Sequence, residues 1–158
     1  DKFGVGNDMA YKFNEFATLA TEEYLYGIYE VYNKTGTIWE NYSPEAFARG
    51  SWSRPDFVGW TGCGPIELLI ENILGFRPNA IDNSLTWQLS RIDKHGIENL
   101  KFGDATASFI CESRQSIYSS INLTITNDKP FKLVMRNSEG KKVDFNLSIG
   151  KHTLNFKF

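Results

Sequence analysis

The residues of this chain best suited to chemistry lie in one stretch, Gly36-Thr37-Ile38-Trp39-Glu40-Asn41-Tyr42-Ser43-Pro44. Pro55-Asp56-Phe57-Val58-Gly59-Trp60 follows a short way on. One carboxylate, Glu40, stands among aromatic side chains in a polar, turn-rich loop rather than on an apolar stripe. Flat rings stack on pyranose faces, and a carboxylate can move a proton, so the combination suits the cleavage of a sugar linkage. Trp39, Asn41, Tyr42, Asp56, Phe57 and Trp60 are the candidate substrate contacts around it.

The elements that must position these residues change character near residue 80. Before it, apolar residues recur at helical spacing; after it, they alternate. A first helix is predicted from about Met9 to Tyr32, on the spacing of Met9, Phe13, Phe16, Ala20, Tyr24 and Val31, with Ala10, Ala17 and Ile28 widening the stripe. Asn7 or Asp8 suits its N-cap, and Asn33 and Gly36 suit its end. A second helix is predicted from about Gly64 to Leu74, with Pro65 at its first position and Gly75 and Pro78 ending it. Between them, residues 36–59 form a long loop. Such a length is usually functional or disordered, and its five large aromatics argue against disorder. The two helices carry more apolar surface than they can hide from water against each other. The isolated chain is therefore expected to be poorly stable or to self-associate.

From Leu85 onward the pattern is β. Leu85–Leu89, Ala107–Cys111, Ile121–Ile125, Phe131–Met135, Val143–Leu147 and Thr153–Phe158 alternate, and turn signals such as His95-Gly96, Gly103-Asp104 and Ser138-Glu139-Gly140 separate the runs. Six or seven short antiparallel strands predict a small sandwich. The expected division is a helical part over 1–80 and a β part over 81–158, an α+β chain.

Composition narrows the function classes. The chain has 158 residues, a net charge of −2 and 15% aromatics. No basic run marks a nucleic-acid partner, and no apolar run is long enough to span a membrane. Cys63 and Cys111 are too few for a disulfide scaffold; both are expected as buried free thiols, with a bond between them left open. His95 and His152 stand alone in turns, without a third ligand at metal spacing, so neither a metal nor another cofactor is expected. Glu67 and Glu71, one turn apart, read as a solvated helix face. Trp87 reads as core. Four Asn-X-Ser/Thr tripeptides carry weight only in a secreted eukaryotic protein. The opening Asp1-Lys2-Phe3-Gly4 has no Met and no signal-like start, and reads as part of something longer. It gives no localisation, although a periplasmic or extracellular setting is slightly favoured.

Three segments resemble a known group. Asp1–Asn7, Thr37-Ile38-Trp39-Glu40-Asn41-Tyr42 and Asp56–Ile66 are similar to the C-terminal end of six-hairpin (α/α)6-barrel glycosidases of the trehalase and processing α-glucosidase kind. The nearest likeness is to glycoside hydrolase family 63-like proteins, including mannosylglycerate-hydrolase-like relatives. There a Glu-(Asn or Lys)-Tyr motif follows the penultimate barrel helix and a Gly-Trp opens the last one; Glu40-Asn41-Tyr42 and Gly59-Trp60 match in order. The resemblance covers roughly residues 1–80. It implies that the helical part is the last hairpin of such a barrel and that the enzyme is an inverting α-glycosidase. It also implies that Glu40 is the general base, with Asn41 and Tyr42 orienting it or its water. Trp39, Phe57 and Trp60 would then wall the sugar site. The family's general acid is an Asp far upstream. Of the nearby Asp56, Glu45 and Asp8, none carries an acid motif, so this chain holds the base without the acid. The implied partners are a carbohydrate and either the rest of the barrel or a second copy of the chain. The rival reading is a non-catalytic carbohydrate-binding or interaction module resting on the β part.

Overall fold

The computed structural model describes residues 14–158, with side chains from residue 19 onward. The chain divides into two compact units, which part between Ile73 and Leu74. The predicted helix start at Met9, its Asn7 or Asp8 cap and the side chains of Phe13, Phe16 and Ala17 lie outside what is described.

In the first unit, helix α1 spans Asn14–Thr35 and helix α2 spans Trp60–Leu68, and a single π-helical turn, Leu69–Ile73, continues α2. α1 packs against both. It runs three residues beyond Tyr32. The Thr35 hydroxyl donates to the Val31 carbonyl at 2.8 Å, and Gly36, at φ +72°, turns its N–H back to the Tyr32 carbonyl at 2.7 Å. This is the left-handed glycine stop that the sequence signalled. The predicted stripe is only partly the buried one. Val31 is buried and Ile28 half-buried, but Ala20 and Tyr24 are exposed and Thr21 is buried instead.

α2 begins four residues earlier than Gly64. The Gly59 carbonyl accepts from Gly62 and Cys63, at 3.2 and 2.9 Å, and so winds the first turn ahead of the proline. Pro65 then sits inside the helix, where it removes only the bond that would end on the Thr61 carbonyl. Cys63 is exposed on this helix, contrary to the expectation of a buried thiol; its Sγ lies 3.4 Å from the Val58 carbonyl. The buried residues of α2 are Thr61, Gly62 and Pro65, so the sequence face around Cys63 is the outer one. Cys111 is buried as expected, and both thiols are free.

The second unit holds eight strands: β1 (Phe76–Asn79), β2 (Ser84–Gln88), β3 (His95–Phe102), β4 (Ala105–Cys111), β5 (Ile121–Asn127), β6 (Phe131–Arg136), β7 (Lys142–Leu147) and β8 (Gly150–Phe156). They form two four-stranded sheets, β1-β2-β6-β7 and β3-β4-β5-β8. The sheets face each other through their alternate residues. Phe109 of one meets Phe76, Trp87 and Phe131 of the other at centroid distances of 5.0, 5.6 and 6.1 Å. Leu85, Leu133, Met135, Leu123 and Ile125, like Trp87, are fully buried and complete the core.

Three features differ from the pattern reading. The sandwich is not wholly antiparallel, because β2 and β6 run parallel; β6 enters the sheet from the opposite one and so arrives in the same direction as β2. β1 falls within the range 1–80 expected to be helical; it carries Pro78, which is tolerated because β1 is an edge strand. His95-Gly96 opens β3 rather than making a turn. A Cβ on Gly96 would lie 1.9 Å from the Phe109 carbonyl, so the glycine permits the close approach of β4. Gly103-Asp104 is the two-residue hairpin turn between β3 and β4, with Gly103 at φ +52°. The buried Asn127 amide donates to the carbonyls of Lys129 and Ser148, at 2.7 and 2.8 Å, and so ties together the two short connections that carry the chain between sheets.

Candidate functional site

Residues 36–59 contain no helix and no named strand, yet their backbone is ordered by a short ladder. Phe57 donates to the Ile38 carbonyl at 3.1 Å, Glu40 to Arg54 at 2.8 Å, Gly50 to Asn41 at 3.0 Å and Ser43 to Ala48 at 3.0 Å, and Tyr42 bridges Arg49. The segment 38–43 therefore lies antiparallel to 48–57. Side chains close the gaps between rungs. The Ser53 hydroxyl, only 8% exposed as a residue, accepts from the Asn41 N–H at 3.0 Å and donates to the Asn41 carbonyl at 2.9 Å. The Thr37 hydroxyl accepts from the Asp56 N–H at 2.8 Å and donates to its carboxylate at 2.7 Å.

Glu40 is held through its main chain on both sides. Its N–H goes to Arg54, and its carbonyl accepts from the Trp60 indole at 2.8 Å. Its side chain is 23% exposed, with Oε2 4.0 Å from Nε of Arg54. Trp60 stacks obliquely on Phe57, centroids 4.6 Å apart, and is 66% exposed. The structure thus brings Glu40, Phe57 and Trp60 together. A part-exposed carboxylate on a main chain fastened to an open indole is a combination that a hydroxylic ligand with an apolar face could use.

The other candidates do different work. Trp39 is an anchor: its indole donates to the Thr35 hydroxyl at 3.0 Å, its carbonyl accepts from the Thr61 hydroxyl at 2.6 Å, and the Arg49 guanidinium covers its ring at 5.1 Å. Asn41 lends its main chain to the ladder, and its side chain packs on Gly50, where a Cβ would come within 1.9 Å of Oδ1. Asp56, at φ +55°, spends its carboxylate on Thr37. Tyr42 accepts the Trp39 N–H at 3.1 Å through its hydroxyl, and its ring lines a separate cavity.

That cavity, about 610 Å³, lies between α1 and residues 42–48. Tyr24, Ile28, Val31, Tyr42 and Phe47 give it an apolar lining, with Glu23 and Glu45 also on its wall. Tyr24 is exposed as a residue, but partial burial of its hydroxyl, and secondarily the neighbouring Tyr42, raise that group above the usual tyrosine range. Neither Glu40 nor Trp60 lines this space. Ser53 and Arg54 were missed by the sequence reading. Their partners are residues at 41 and 40, a pairing with no local periodic signal. Among the described residues, no three His, Cys, Asp or Glu side chains gather in a metal-binding group. No described helix is long and apolar enough to cross a membrane.

Comparison of the chain with protein-family models, with curated proteins and with solved structures finds no match.

Proposed function

We propose that the chain is the C-terminal part of an inverting glycoside hydrolase acting on α-glycosidic bonds, with Glu40 as its general base. The observation that carries the reading is the fixing of Glu40 between the Arg54 carbonyl and the Trp60 indole. The main chain that bears this part-exposed carboxylate is thereby fastened to an exposed aromatic residue. The resemblance of Glu40-Asn41-Tyr42 and Gly59-Trp60 to the six-hairpin glycosidases adds to it. In the proposed reaction Glu40 takes a proton from water, whose oxygen attacks the anomeric carbon opposite the aglycone. The glycosidic C–O bond breaks, and the leaving oxygen takes its proton from an acid elsewhere in the barrel, so the α-linkage yields the β-anomer. Exposed Val58 before α2, Ile66 on it and Leu69 in the π turn after it suit packing against further barrel helices.

The test is Glu40→Gln in the polypeptide that carries these residues together with the rest of the barrel. Loss of a general base costs typically about 10²–10⁴-fold in turnover, so kcat for α-linked oligosaccharides should fall within that range. Proton NMR should show the β-anomer as first product of the wild type. Retention of more than about a tenth of kcat, on that same expectation, removes Glu40 from the role.

A further inference from the structure

Between Gly50 and Ser53 the loop makes a tight turn whose tip is Ser51-Trp52. Both flanks of the tip are fastened to one residue. Gly50 donates to the Asn41 carbonyl at 3.0 Å, and the Ser53 hydroxyl engages both the N–H and the carbonyl of Asn41, at 3.0 and 2.9 Å. Asn41 is the neighbour of Glu40, and Arg54, next after Ser53, accepts the Glu40 N–H. The turn is therefore built onto the segment that carries the carboxylate.

Trp52 occupies the third position of this turn at φ +58°. A positive φ there ordinarily selects Gly or Asn, and a large side chain in it is strained unless its surroundings fix it. The indole gains nothing in return from the described residues, since Trp52 is 98% exposed. A tryptophan held in a glycine conformation, fully open to water, on a turn fastened to the residue next to Glu40, has the shape of a ligand platform. Its ring is a broad, amphipathic surface with an N–H to spare. The polar residues around it are short (Ser51, Ser53), so nothing overhangs the ring.

Resting on the glycosidase reading, we propose that Trp52 is a saccharide-stacking platform of the Glu40 site, which takes a sugar ring at least one unit away from the bond being cleaved. It selects for α-linked oligosaccharides over glycosides of a single sugar.

The experiment compares the wild type with Trp52→Gly and Trp52→Phe in the full polypeptide. Glycine adopts the turn freely, so Trp52→Gly should melt at or above the wild-type temperature. For maltotetraose, KM should rise about tenfold in Trp52→Gly with kcat within twofold, and Trp52→Phe should recover most of the loss. For methyl α-glucoside both constants should stay within twofold. Isothermal titration of Glu40→Gln with maltotetraose, with and without Trp52→Gly, reads binding apart from turnover. Equal binding by the two overturns the platform, as does the absence of Trp52-dependent binding across α-linked gluco-, manno- and galacto-oligosaccharides. If Glu40→Gln stays active while Trp52→Gly still loses binding, the general-base role fails and the platform stands.

Discussion

Ser53→Ala tests whether the ladder that holds Glu40 acts as a unit. The Ser53 hydroxyl makes two bonds to Asn41, one accepting at 3.0 Å and one donating at 2.9 Å. Removing it leaves the Asn41 carbonyl with a partner, because Gly50 also donates there at 3.0 Å. The Asn41 N–H is left with none. An orphaned buried donor costs about 1–3 kcal/mol. Asn41 is itself exposed, which favours the low end. At about 1.4 kcal/mol for each tenfold, the local opening equilibrium should rise about tenfold. Amide hydrogen exchange reads this directly. The Asn41 amide should exchange about tenfold faster in Ser53→Ala, as the size of one lost bond requires. The Glu40 amide should follow by several-fold, because its acceptor is Arg54, the next residue after Ser53. The Phe57 amide, on the Ile38 carbonyl at the far end of the ladder, serves as the control. Loss of protection at Asn41 with none at Glu40 would show that the rungs open independently, and Ser53 would then have no part in placing the carboxylate. Unchanged protection at both would refute the clamp itself.

The remaining predictions concern the β unit. Burial lowers the His95 pKa, with Arg91 and Arg114 adding to the shift and the Asp93 carbonyl and carboxylate opposing it; the Nδ1–H donates to the Asp93 carbonyl at 2.8 Å. The unfolded chain thus binds a proton at about pH 6.5 that the folded chain refuses, so stability is held above that pH and falls as pH drops toward the lower folded value. Urea midpoints at pH 7.5, 6.5 and 5.5 should decline for the wild type and flatten for His95→Gln; identical slopes would sink the assignment. Gly96→Ala should destabilise by at least about 2 kcal/mol, the scale of a forced backbone separation, since its Cβ would meet the Phe109 carbonyl at 1.9 Å. A wild-type urea midpoint followed by tryptophan fluorescence would refute that reading.

What was legible in the sequence followed from local rules. The alternation at Ile121–Ile125 and Phe131–Met135 marked β5 and β6 because one face of each is buried in the sandwich. Gly36 marked the end of α1 because a left-handed residue is needed there. The connection over 36–59 was legible as an ordered, non-helical segment, from aromatics among turn residues. The elements that escaped depend on partners distant in the chain. Gly96 looks like a turn residue until β4 lies against it, and Pro78 looks like a helix stop until β1 is seen at a sheet edge. The start of α2 escaped because Pro65 was given the first helical position, whereas the helix bears it inside at the loss of one bond. Ser53 gave no signal at all: a serine in a loop is commonplace, and only its pair of hydrogen bonds to Asn41 gives it a role.

The three indoles of this region show how one residue type divides its labour. Trp39 uses its N–H on Thr35, its carbonyl on Thr61 and its ring under Arg49, so it fastens the loop to both helices and has little left for a ligand. Trp60 uses its N–H on the Glu40 carbonyl and one side of its ring on Phe57, and leaves most of its surface open. Trp52 is almost wholly exposed, and its backbone is held in place by its neighbours. Exposed aromatic surface is unfavourable in water, and a backbone fixed in a left-handed conformation adds strain. Both are tolerated here because the polar groups of the loop are consumed by its own ladder, Asp56 by Thr37 and Ser53 by Asn41. What the loop offers outward includes the part-exposed Glu40 carboxylate with Arg54 beside it, the indoles of Trp52 and Trp60, and the apolar side chains of Phe47 and Val58. Under the proposed function, the open indoles near this segment would take the apolar faces of a sugar and the carboxylate its hydroxylated edge.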